Sequence, residues 1–151
     1  MNSDLNNLLQ KKQQAASSSG SINWDDRRDK YLADIASLYA QVERILAKPI
    51  KQKVVTIQRR EKKLTENYIG TYSVEDLILL IGNEQVRFSP RGRNVVGANG
   101  RIDVLGERGE VSLIVQPGSR WGFVQSRQPT LRIVPFDEAS FADVLKIVMR
   151  D

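Results

Sequence analysis

From Tyr68 to Val134 apolar and polar residues alternate with a period of two, and turn-forming residues break the alternation every few positions. A period of two puts successive side chains on opposite faces of an extended chain, so this half of the sequence reads as strands and excludes an all-helical fold. The runs are Tyr68 to Ser73, Leu77 to Ile81, Gln85 to Phe88, Asn94 to Ala98, Arg101 to Leu105, Glu110 to Val115, Arg120 to Gln125 and Leu131 to Val134. Between them stand Gly82-Asn83, Asn99-Gly100, the Gly106 to Gly109 loop and Pro117-Gly118-Ser119, which are the residues of hairpin connections. Short connections force neighbouring strands to pair antiparallel, giving a meander of about seven or eight short strands in a curved sheet or half-barrel. Leu77 to Ile81 is apolar on both faces, which places it centrally with cover on each side.

Helices are expected on either side of this meander. Asn23 can cap a helix whose first turn carries Asp25 and Asp26, and the apolar series Leu32, Ile35, Tyr39, Val42 and Leu46 steps by three and four toward Ala47, with Pro49 ending it. The stripe suits packing across the chain's own sheet, and a homodimer through this 24–47 helix is the alternative use. A second helix, Glu138 to Met149, starts at Asp137, with Phe136 and Phe141 spaced as a hydrophobic staple. Residues 1–21 hold Leu5, Leu8 and Leu9 and then a serine-rich run, and read as a flexible tail and linker. The expectation is a single α+β domain over 22–151.

Composition narrows the chemistry. The 151 residues include no cysteine, which excludes disulfides, thiolate catalysis and cysteine-bound metals, and no histidine, which removes the commonest general base and metal ligand. A metal would need an all-oxygen site, and the acidic pairs Asp25/Asp26 and Asp137/Glu138 are accounted for by helix starts, Glu75/Asp76 by a turn. No Walker-type or dinucleotide-binding glycine loop is present, and Gly97 to Gly100 reads as a hairpin and not as a nucleic-acid clamp. A non-enzymatic chain without cofactor or metal is expected. With no signal-like segment and no apolar run near the length of a membrane span, a cytoplasmic location is expected too.

The charge pattern supplies the candidate sites. The formal net charge is +5, and every cation between Leu64 and Leu145 is an arginine. Arginine's planar fork suits bidentate recognition of carboxylate or phosphate, so Arg87, Arg91, Arg93, Arg101, Arg120 and Arg127 are the candidate contact residues for a partner protein. Arg120 flanks Trp121 and Phe123, whose shared strand face reads as core. The function expected is that of a non-catalytic interaction or adaptor protein using this sheet face, the amphipathic helix, or both. The alternative is nucleic-acid binding through the basic segment after the helix, with Lys51, Lys53, Arg59, Arg60, Lys62 and Lys63; an edge strand guarded by cations explains the same residues. No helix-turn-helix, zinc-finger or aromatic RNA-binding pattern accompanies it.

Overall fold

The computed structural model describes residues 4–10, 23–94 and 98–150. Residues 4–10 form a short helix, α1, on which Leu5, Leu8 and Leu9 are all more than half exposed. Of the tail and linker expected over 1–21, residues 1–3 and 11–21 lie outside the described residues; the described chain beyond them forms α2 (Trp24–Ile45), α3 (Ala47–Lys51), seven strands and α4 (Glu138–Val148). The strands are β1 (Val55–Glu66), β2 (Gly70–Ile81), β3 (Glu84–Gly92), β4 (Arg101–Leu105), β5 (Glu110–Gln116), β6 (Arg120–Ser126) and β7 (Arg132–Pro135). They lie in one open sheet in sequence order, each antiparallel to the next, so the α+β meander expected from the alternation is the observed fold.

Asn23 caps α2 by accepting from Asp26 N at 3.1 Å. The helix breaks at Leu46, and Pro49, expected to end it, sits instead inside α3. As the third residue of that helix its missing N–H has no intrahelical acceptor to forgo. Tyr31, Ile35, Leu38, Tyr39 and Val42 are buried in the same core as Val86, Phe88, Ile102, Val104, Leu113, Val115, Trp121 and Phe123. Burying each such side chain stabilises by ~1.5–3 kcal/mol, so the stripe that would have served a dimer is spent within the chain. From the other end of the sheet α4 adds Phe141, Val144 and Val148 to this core. Its start is the expected one: Asp137 and Ser140 form a capping box, and the Phe136 and Phe141 rings lie 5.4 Å apart.

Two connections differ from expectation. Tyr68 to Ser73 and Leu77 to Ile81 belong to one strand, β2, paired with β1 along its full length from Val55↔Ile81 to Glu66↔Gly70. Glu75 and Asp76, expected in a turn, therefore lie in mid-strand, where Arg59 stands 3.8 Å from Glu75 and Lys62 2.8 Å from Asp76. Cross-strand charge pairing is the determinant that local turn propensity missed. Nor is Asn99-Gly100 a hairpin turn: Asn99 N donates to Val115 O, and Val115 N donates to Gly100 O, so both residues already run beside β5. Glycine is required at 100, since a Cβ would stand 2.3 Å from the Tyr31 ring. Residues 95–97 of the expected Asn94 to Ala98 strand lie outside the described residues.

The β1–β2 hairpin outruns its neighbour. Pairing of β2 with β3 stops at Leu77↔Phe88, and beyond it the inward-facing residues change parity, from Leu77 and Leu79 to Tyr72 and Val74. The hairpin thus twists over the β3–β4 connection, where Glu66 accepts from Arg93 N at 3.0 Å, from Asn94 N at 2.7 Å and from the Tyr72 hydroxyl.

Candidate functional site

Alternation divides β3–β6 into a core face, turned toward α2 and α4, and an outer face that neither helix covers. Cross-strand partners Ser89↔Asp103 and Asp103↔Ser112 form one row on the outer face, and Asp76 would continue it onto β2 were the pairing extended by one residue. Sequence reading missed this row because its members are far apart in the chain and two of them are serines.

Asp103 is its centre. Arg101 donates to both carboxylate oxygens, Nε to Oδ1 at 2.8 Å and a terminal nitrogen to Oδ2 at 3.2 Å. Arg91 Nε stands 3.3 Å from Oδ2, and Ser112 donates to Oδ1 at 3.1 Å. The Asp103 side chain is 6% exposed while those of Arg91 and Arg101 are 57% and 37% exposed. A buried carboxylate thus fixes two arginine forks whose remaining donors reach solvent, which lowers the ordering cost of a further bidentate contact. One row away is Arg87, between Ile78 and Leu105, its Nε buried without a hydrogen-bond acceptor. Ile78 is itself buried although no helix lies above it, so side chains of the outer face supply the second cover expected for the Leu77 to Ile81 run.

The candidate arginines are thereby sorted. Arg87, Arg91, Arg101 and exposed Arg120 share the outer face, Arg120 opposite Gln116 at the start of β6. Arg93 and Arg127 do not. Arg93 lies in the β3–β4 connection, donates to Asn99 Oδ1 at 3.3 Å, and is held below the ordinary arginine pKa by burial and by Arg27 nearby. Neither Arg93 nor Arg101 is the freely solvated turn residue that an Asn99-Gly100 hairpin would have made it. Arg127 follows β6 at the sheet's far end.

The basic segment is divided rather than gathered. Along β1, Arg59 and Lys63 point to one face and Arg60 and Lys62 to the other. Arg59 bonds Glu43 at 2.8 Å and lies over the Tyr39 ring, and Lys63 donates to Ser73. Lys62 Nζ donates to Ser89 Oγ at 2.7 Å and makes an ion pair with Asp76 Oδ1, bent away from hydrogen-bond geometry, at 2.8 Å. Lys51 ends α3, and Lys53 takes the left-handed conformation in the turn that follows. β1 is an edge strand of the sheet, the position at which cations discourage pairing with another chain.

Among the described residues no cluster of acidic groups is arranged to hold a metal, and no helix is long and apolar enough to cross a membrane. The fold and site define a class: an open seven-stranded antiparallel sheet with both packing helices on one face and an arginine-bearing polar row on the other. No family model, no curated protein and no solved structure matches the chain.

Proposed function

We propose that this chain is a non-catalytic interaction protein whose outer sheet face binds an acidic segment of another protein. The observation that carries the reading is the convergence of Arg91 and Arg101 on Asp103, on a face that neither packing helix covers. Forks fixed in this way recognise carboxylates with geometry as well as charge, and Arg is a residue enriched at binding hot spots. A partner on this surface leaves the helices and the core undisturbed, as an adaptor requires.

The test compares the wild type with Arg91→Ala/Arg120→Ala in a pull-down from host lysate, with and without nuclease, at low and high salt. Retention of a discrete, nuclease-resistant protein by the wild type, lost in the double variant, is the expected result. Nuclease-sensitive retention, or retention that the double variant leaves intact, overturns the reading.

A further inference from the structure

β5 and β6 stop pairing at Leu113↔Phe123, although β5 continues beside β4 to Glu110 and β6 continues beside β7 to Ser126. Where they part, α4 passes beneath, and the gap is a cavity of ≈ 690 Å³, within the range of small-molecule sites. Among its lining residues, Ile147 and the edge of the largely buried Phe123 supply apolar surface, Arg101 and Arg127 supply guanidinium groups, and Glu110 and Asp143 supply carboxylates, with serine and glutamine side chains between them. Arg127, Glu110 and Asp143 line one cavity yet make no ion pair with each other or with any other described residue. Arg101 is already shared with Asp103, so Arg127 is the free cation of the set.

We infer that this cavity binds a free α-amino acid with a large apolar side chain. Its carboxylate pairs with Arg127, supported by Arg101; its ammonium faces Asp143 and Glu110; its side chain lies against Phe123 and Ile147. A ligand carrying one charge would forgo the contact with the opposite set, and one with a polar body would gain less from the surface of Ile147 and Phe123. The cavity shares Arg101 with the acidic-partner surface, but its principal cation Arg127 lies off that surface, and Arg91, Arg87 and Arg120 do not line the cavity.

Isothermal calorimetry on the full chain, with phenylalanine, N-acetylphenylalanine and phenylalaninamide as probes, tests it. Phenylalanine is expected to bind, and blocking either end is expected to weaken binding about tenfold or more, as loss of a charge-assisted contact does. Arg127→Ala should abolish the preference for phenylalanine over its amide, and Asp143→Asn the preference over the N-acetyl derivative. Both residues are exposed, so thermal melting without ligand should be unchanged. No heat from phenylalanine at about 10 mM, or equal binding of all three probes, overturns the inference.

Discussion

Tyr39 and Lys62 close the same opening between β2 and β3 from opposite faces of the sheet. From the core side the Tyr39 hydroxyl donates to Glu75 O at 2.7 Å and approaches Phe88 O at 3.4 Å; from the outer side Lys62 Nζ spans Asp76 and Ser89. Lys62 bridges the strands one step beyond their last pair, and Tyr39 joins Phe88 of that pair to Glu75 two residues past Leu77, which lets the hairpin peel away without exposing buried carbonyls to a void. Tyr39→Phe should cost about 1–3 kcal/mol, the penalty of an unsatisfied buried acceptor. Lys62→Met should cost more, about 3–5 kcal/mol, because it strands a buried Asp76, and Lys62→Met/Asp76→Leu should recover much of that loss. Urea unfolding of the three variants decides; equal stabilities for Lys62→Met and the double variant would refute the coupling.

Tyr31, Tyr39 and Tyr72 are all pushed above the ordinary tyrosine pKa, chiefly by burial, and for Tyr72 also by its hydrogen bond to Glu66. Each is neutral in the fold at a pH where the unfolded chain has begun to release its proton. The sign follows: the contribution is complete below about 10, the unfolded value, and is lost as pH rises above it, with slopes up to ~1.4 kcal/mol per pH unit for each tyrosine. Unfolding free energy measured from neutral to strongly alkaline pH should fall steeply past that point, and Tyr39→Phe should make the fall shallower. An identical slope in the variant would exclude Tyr39 from the effect.

Asp34 lies on the buried side of α2, 4% exposed, with its Oδ2 buried and lacking a partner. Its main-chain carbonyl is used, accepting from Trp121 Nε1 at 2.8 Å, but that contact does not need the side chain. Asp34→Ala removes an unsatisfied oxygen and improves helix propensity, so it should raise stability by about 1–2 kcal/mol. A lower melting temperature for the variant would show that the carboxylate has a role in holding the fold.

What was legible in the sequence were the features that depend on neighbours in the chain. Period-two alternation fixed most strands of the sheet, the Asn23 and Asp137 caps fixed two helix starts, and the Trp121/Phe123 pair fell on the core face as its spacing required. What was not legible depended on residues meeting across strands. Glu75 and Asp76 carry turn propensity locally, yet Arg59 and Lys62 hold them in a strand. The arginine bias gave candidates of which Arg93 and Arg127 fall off the outer face, and it did not show that Asp103 would organise the others, because the carboxylate's partners come from β3, β4 and β5. The cavity between β5 and β6 arises where pairing stops, and no residue type marks that position.

Asp103 ties stability to binding on the proposed contact face. Its carboxylate satisfies Arg101, Ser112 and Arg91 together, so Asp103→Asn weakens charge-assisted bonds at a nearly buried position and should destabilise the chain by about 1–3 kcal/mol. The same change loosens the two arginine forks, so an acidic peptide should bind the variant more weakly than the wild type although the net positive charge rises. Lower stability with lower affinity is the signature of a carboxylate that holds the arginines in their binding geometry. Fluorescence anisotropy with a labelled glutamate-rich peptide, beside urea unfolding of the same preparations, measures both. If affinity rises while stability falls, Asp103 competes with the partner's carboxylate and does not organise the forks for it. If peptide binds neither protein, the outer face does not recognise acidic segments and the proposed function fails with it.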